Sequence, residues 1–285
     1  MQSHSSTSAF NNCPYRHHLE KLGYRQQVVG ASDNKRVWSI ALHAALKCVH
    51  TGQLAKVQPE FLRLYPKNLD ESDRTRTIES AWQTLHAYQS RWANDASEWE
   101  VLEAEFDNQD DVDEEQSHLV IDLVMRHRAS GSIYPWDHKV KTKWDARGKQ
   151  YELDAQISRY AAYVHYKWGD CSGFLVNVIV PQYRERKWKD RPAGWDIQFD
   201  RKLYSRTTDQ IEAWKRSQAD WEQLIAYCNA SGVWPKHYGS LCSWCSYFDG
   251  CYSESQGAGP EIWETLYRPG VHAEEEFNVQ IEDGE

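Results

Sequence analysis

Apolar residues recur at helical spacing from Trp38 to His50, where Ile40, Leu42, Ala45, Leu46 and Val49 share one face, so the pattern predicts a helix. Asp73–Asn94 predicts a longer helix, and Lys149–Trp168 and Thr208–Asn229 predict two more. Elsewhere the period changes. Trp99–Phe106 reads as a strand, and His118–Arg128 is a continuous run rich in Val, Ile and Leu, as a strand buried on both faces would be. A turn at Ala129–Ser132 leads into Ile133–Val140 and predicts a hairpin. Gly173–Val180 is a further strand, closed by Pro181. Residues 1–12 are polar and expected to be loose. The chain after Asn229 is expected to hold a Cys-bearing loop, a short helical piece and, over 271–285, a disordered acidic tail. Helices flanking a small mixed sheet make the fold class α/β or α+β. No repeat or Gly/Ser-rich linker divides the chain, so residues 1–270 are expected to form one domain.

At 285 residues the chain can bury a core without a disulfide framework. No apolar run is long enough to span a bilayer, and the first residues lack the pattern of a secretory signal. The expectation is a cytoplasmic protein, from a bacterial, archaeal or phage-infected cell, with no membrane partner. The formal net charge of −9 argues against a surface coated all over by nucleic acid. The acids are uneven, however. They concentrate in Asp107–Glu115 and after Val271, which leaves a body close to neutral that contains the basic stretches Arg184–Arg191 and Lys139, Lys141, Lys143. The 14 Trp and 16 Tyr serve either as core filling or as stacking surfaces for unpaired bases.

Seven cysteines, an odd number with no export signal, speak against structural disulfides. Cys48, Cys171 and Cys228 are scattered and suit small buried hydrophobes. Cys242, Cys245 and Cys251 are spaced so that three thiolates can converge on one centre, and Cys13 is the obvious fourth ligand, with His237 as its competitor. Four cysteines can hold zinc or an iron–sulfur cluster, or remain free thiols.

Asp122 interrupts the apolar run Leu119–Met125, where a carboxylate needs a partner. Across the turn, Asp137 and Lys139 are two apart on a strand and face one side. The hairpin can bring Asp122 beside Asp137, and paired carboxylates favour Mg²⁺ or Mn²⁺. A lysine on that face can orient a water and stabilise charge at a phosphate. The plain structural alternative is an Asp–Lys ion pair on a solvated hairpin. Gln156 and Tyr160 share one face of the following helix. His43, among apolar neighbours, is either a satisfied core histidine or a third metal ligand.

Together these pieces resemble the PD-(D/E)XK nuclease superfamily in its RecB-type branch, which includes the CRISPR-associated RecB-like exonucleases and the AddB-type nuclease domain. Ser5–Tyr15 resembles the opening "S…F…CP" motif, and the His43 helix resembles "G-x-x-x-H". Asp122 matches the Asp of "GxxD", Asp137–Lys139 matches "(D/E)xK" and Gln156–Tyr160 matches "QxxxY". Cys242, Cys245 and Cys251 match the C-terminal half of an iron–sulfur staple. The sequence departs from the pattern at Leu119 and Ser39, where the family has Gly, and it carries no P-loop.

The resemblance implies a restriction-endonuclease-like core and a stand-alone, metal-dependent DNA exonuclease that prefers single-stranded or end-containing DNA, with endonuclease action left open. It implies that His43, Asp122, Asp137 and the backbone carbonyl of His138 hold Mg²⁺ or Mn²⁺, and that Lys139 positions the water. Gln156 and Tyr160 would contact the nucleic acid or orient the site, and Glu105 would add a carboxylate. Cys13, Cys242, Cys245 and Cys251 would hold a [4Fe–4S] cluster joining the N- and C-terminal segments. Implied partners are DNA and proteins of recombination, repair, phage DNA processing or CRISPR adaptation, with oligomers allowed. The alternative is a non-catalytic DNA-binding or assembly protein on the same fold.

Overall fold

The computed structural model describes residues 4–26, 31–65, 75–108, 119–141, 149–169, 171, 173–186 and 194–269. The chain divides into two compact units, one made of 1–29 with 218–285 and the other of 30–217. In chain order, α1 (His4–Asn12), α2 (Pro14–Lys21) and β1 (Tyr24–Gln26) belong to the first unit. The second holds α3 (Ala31–His50), α4 (Val57–Leu64), α5 (Ile78–Arg91), α6 (Asp95–Glu98), β2 (Trp99–Asn108), β3 (Leu119–His127), β4 (Ile133–Val140), α7 (Ala155–Trp168), β5 (Phe174–Arg184) and β6 (Gly194–Tyr204). After α8 (Thr208–Ser231) the first unit closes with α9 (Phe248–Ser255), α10 (Glu261–Leu266) and β7 (Tyr267–Pro269).

The second unit is built on a five-stranded sheet in the order β2-β3-β4-β5-β6. Every pairing is antiparallel except β4–β5, which is parallel and therefore needs a crossover; α7 supplies it. Strand alternation sends Phe174 and Val176 to one face, where they pack with Ile121, Val124 and the α7 residues Ile157, Tyr160 and Val164. Ile179 faces the other way, into a core of Trp38, Leu42 and Leu46 from α3, Phe61 from α4, and Leu85 and Tyr88 from α5. This is the expected mixed sheet flanked by helices.

Several boundaries differ from the pattern, each for a local reason. The helix expected from Asp73 begins at Ile78, because the Thr77 hydroxyl accepts from the Ser80 amide and caps it. The helix expected from Lys149 begins at Ala155. A 3-10 turn covers 149–152, and the Asp154 carboxylate caps the helix by accepting from the amides of Gln156 and Ile157. At its other end Gly169 takes the left-handed conformation, φ 71°, that stops α7. β5 does not close at Pro181 but runs on to Arg184. Its pairing with β4 ends at Ile179, so the missing amide of Pro181 deprives that neighbour of nothing. Residues 4–12 are helical rather than loose, with Ala9 and Phe10 buried. The tail 271–285 lies outside the described residues. No helix among the described residues is long and apolar enough to cross a membrane.

The first unit has its own apolar clusters. Leu19, Tyr247, Trp263 and Tyr267 form one, and Phe10, Ile225 and Cys228 another. The β1–β7 ladder, Tyr24↔Pro269 to Gln26↔Tyr267, pairs the two sequence-distant segments of this unit.

Candidate active site

The site grows from a split in the sheet. The β3–β4 ladder runs from Arg126↔Ile133 to Leu123↔Trp136 and stops there. β4 continues beside β5 as far as Val140↔Ile179, while β3 continues beside β2. Asp122 and Asp137 are therefore the first residues past the end of the ladder, on strands that have parted. The Asp122 carboxylate takes up the backbone group this leaves: the His138 amide donates to its Oδ2 at 2.6 Å.

Four side chains meet in the opening. His43 Nδ1, from α3, lies 3.2 Å from Asp122 Oδ1, and Lys139 Nζ lies 2.7 Å from Asp137 Oδ2. Side-chain exposure rises from Asp137 at 7% through Asp122 at 18% and His43 at 25% to Lys139 at 30%, so the cluster opens outward. Lys139 also donates to Gln156 Oε1 at 2.7 Å. Gln156 Nε2 donates to the Tyr160 hydroxyl at 2.9 Å, which in turn donates to the Val120 carbonyl at 2.5 Å. Gln156 and Tyr160 thus anchor the lysine from α7. Glu105 sits in β2 between the pairs Ala104↔Leu123 and Phe106↔Ile121, which sets it level with Asp122. Its side chain lies outside the described residues, as do Lys143 and residues 187–191 of the basic stretch.

The charges of the four groups are interlocked. Burial raises the Asp122 carboxyl, but His43 and the His138 amide outweigh it and hold Asp122 well below the ordinary range. His43 is raised in return: burial opposes its charge, and Asp122 and Asp137 overcome burial. Asp137 is pushed up to about 6 by burial, relieved by Lys139 and raised further by Asp122. Burial also works against the Lys139 ammonium, but Asp137 more than compensates, so Lys139 stays a cation at neutral pH. It can donate and neutralise; it cannot take a proton there.

Two crowded carboxylates, one kept proton-prone first by burial and then by the other's charge, make a donor set that suits a hard divalent cation. The His43 Nε2 atom is buried without a hydrogen-bond partner. Among the described residues, no three His, Cys, Asp or Glu side chains are gathered at ligand positions. The fit therefore lies in the chemistry of the donors.

Cys13, Cys242, Cys245 and Cys251 all line one cavity of about 180 Å³. Burial pushes the Cys251 thiol up to about 11, and nearby Lys236 partly offsets this. His237 lies in the same lining, but its Nδ1 is 3.2 Å from the Asn12 carbonyl. Of the other cysteines, Cys48 and Cys228 are buried as expected, and Cys171 is half-buried with its thiol on the Gly173 carbonyl.

Behind β4 lies a feature that the sequence reading missed. Asn177 of β5, fully buried, is the register partner of His138 and joins it to Tyr88, His50, Arg201 and Asp95. The available signal was a lone Asn inside the run Phe-Leu-Val-Asn-Val-Ile-Val.

A sheet parted over paired carboxylates, with an α7-anchored lysine on the same strand, defines a nuclease-like site. The family model of the PD-(D/E)XK nuclease superfamily matches residues 2–252, and the chain belongs to that superfamily. Among solved structures, it is similar to a candidate exonuclease from Eubacterium rectale, with 12% identity, a TM-score of 0.50, and coverage of 87% of this chain and 86% of that one. It also matches LHK-Exo in complex with dAMP, at 11% identity and a TM-score of 0.29. A second structure of that alkaline exonuclease, from Laribacter hongkongensis, matches at 10% identity and a TM-score of 0.27. Both matches cover 70% of this chain and 97% of the other. No curated protein matches.

Proposed function

We propose that this nuclease is a Mg²⁺- or Mn²⁺-dependent deoxyribonuclease, acting chiefly as an exonuclease on single-stranded or end-containing DNA. The observation that carries the reading is the parting of β3 and β4 over Asp122, Asp137 and Lys139. Asp122, Asp137, His43 and the His138 carbonyl would hold the ion, which when bound supplies Lewis-acid stabilisation of the charge gathering on the phosphate. Lys139, cationic and held by Gln156, orients the attacking water and adds a second positive charge. Asp137 stays largely ionised at neutral pH and holds Lys139 from the other side. The Cys13, Cys242, Cys245 and Cys251 thiols would hold a [4Fe–4S] cluster, a reading supported by their shared cavity.

The test is protein purified without air and given DNA labelled at either end, single- or double-stranded, with Mn²⁺, Mg²⁺ or EDTA. Metal-dependent cleavage that Lys139→Ala lowers by about 100-fold or more is expected. The product ladders then give polarity. A folded protein that binds DNA and leaves it intact would point instead to the non-catalytic role. Iron and sulfide analysis of the same preparation tests the cluster, and zinc without sulfide would overturn it.

A further inference from the structure

The polar network behind β4 is buried more deeply than the site it supports. Asn177, on β5, is fully buried, and Tyr88, on α5, nearly so. Their hydrogen bonds have a definite direction. The Tyr88 oxygen accepts from Asn177 Nδ2 at 2.7 Å and from Arg201 Nη2 at 3.2 Å, so its own proton goes to His50 Nε2, 2.9 Å away. Arg201 is fixed in turn by both oxygens of Asp95, at 2.6 and 2.8 Å. The second Nδ2 hydrogen of Asn177 goes to His138 Nδ1 at 3.0 Å, which places the His138 proton on Nε2. This amide orientation leaves Asn177 Oδ1 and the His138 Nε2 hydrogen without partners; the reverse would leave both Asn177 N–H groups so. The buried His138 ring is also stacked on His50, with centroids 5.5 Å apart.

His138 links this network to the site. Its ring points behind the strand, its neighbours Asp137 and Lys139 point in front, and its amide holds Asp122 at 2.6 Å. β4 has lost β3 as a partner at this point, so nothing in the ladder on that side fixes the His138 peptide. We propose that Asn177, itself fixed by Tyr88, is a positioning residue of the metal centre: it clamps the His138 ring from behind and so sets the peptide that carries the Asp122 contact and the ligand carbonyl. The proposal rests on the ligand assignment made above. It requires no contact between Asn177 and metal, DNA or water.

The experiment measures Mn²⁺ binding to the metal-free protein, without DNA, by electron paramagnetic resonance of the free ion. Four proteins are compared: the parent, Asn177→Leu, Tyr88→Phe and Thr84→Val. Leucine keeps the heavy-atom branching of asparagine but is bulkier and leaves the Tyr88 hydroxyl and His138 Nδ1 without their partner, so its melting temperature and circular dichroism are measured beside the parent's and only folded protein is compared. Phenylalanine keeps the ring and deletes the hydroxyl. Thr84, fully buried on α5 and bonded to the Ser80 carbonyl of its own helix, is the control for loss of a buried hydroxyl. Asn177→Leu and Tyr88→Phe should weaken Mn²⁺ binding by about 10- to 100-fold, the range for partners behind a metal ligand. Thr84→Val should stay within about twofold at any melting temperature. Parent-like Mn²⁺ affinity in both folded variants would overturn the proposal and leave the network a stability element. A parent that binds Mn²⁺ but cuts no DNA would sink the nuclease reading while the variants still decide the positioning role. A parent that binds no Mn²⁺ would sink both.

Discussion

Gln156→Leu separates two roles for the Gln-x-x-x-Tyr pair: contact with DNA and orientation of the lysine. In this fold Gln156 spends its carbonyl on Lys139 at 2.7 Å and its amide on Tyr160 at 2.9 Å. A hydrogen bond to a charged group contributes about 1.5–3 kcal/mol. Lys139 keeps its 2.7 Å contact with Asp137, so the lower half of that range applies. At about 1.4 kcal/mol per factor of ten, kcat should fall roughly 10- to 40-fold. The cap of α7 is made by the Gln156 backbone and the Asp154 carboxylate, which the substitution leaves alone, so the melting temperature should barely move. The assay is steady-state cleavage of end-labelled DNA at saturating Mn²⁺. A fall in kcat with KM within about twofold is the expected result. A KM that rises while kcat holds would refute the argument and return Gln156 to the DNA surface.

Two further predictions concern stability. Burial lowers His50 from its ordinary 6.5 to about 4, with Arg201 adding to the effect and Asp95 opposing it. The unfolded chain therefore binds a proton that the native chain refuses between pH 6.5 and 4. The His50 contribution to stability should be complete above about pH 6.5 and fall by about 3 kcal/mol as pH drops toward 4, while Asp137, raised to about 6 in the native chain, contributes with the opposite sign below that pH. Urea unfolding in EDTA across that window should show this slope in the difference between the parent and His50→Gln; identical pH profiles for the two proteins would assign the titration to other groups. Arg201 and Asp95 form a paired, mostly buried ion pair, with the guanidinium also 3.7 Å from the Trp92 ring centre. Arg201→Met should destabilise by about 3–5 kcal/mol because it strands the Asp95 carboxylate, and adding Asp95→Leu should restore most of the loss. Strictly additive losses in the double variant would show that the pair is not coupled.

The sequence exposed those parts of the protein whose signal is local. Leu119–Met125 is apolar enough to announce a buried strand, the Gly131 turn follows, and Asp137 and Lys139 share a face by simple alternation. The helix ends were less legible. Thr77 and Asp154 are ordinary cap residues, but only the fold shows which of several Thr, Ser and Asp side chains meets a free amide. β6 went unread because Gly194–Tyr204 mixes charged and apolar residues on an edge strand with no fully buried face until Tyr204. The supporting network was invisible for a different reason. Tyr88, Asn177 and Arg201 are far apart in sequence, and each is a common residue type.

The split sheet explains why the carboxylate pair can be read from sequence while its support cannot. Asp122 and Asp137 are adjacent because one short turn, with the Ser132 carbonyl accepting from the His127 amide, sets the hairpin register. Since strand side chains alternate, any slip of one residue would turn Asp137 and Lys139 to the back and His138 to the front. The turn therefore fixes the motif by local chemistry alone. What keeps β4 in place after it leaves β3 is non-local: the parallel pairing to β5 across the α7 crossover, and the Asn177 clamp on His138. In that sense the reacting face of β4 belongs to a hairpin and its rear face to the crossover, and the site exists because residues 137–139 serve both.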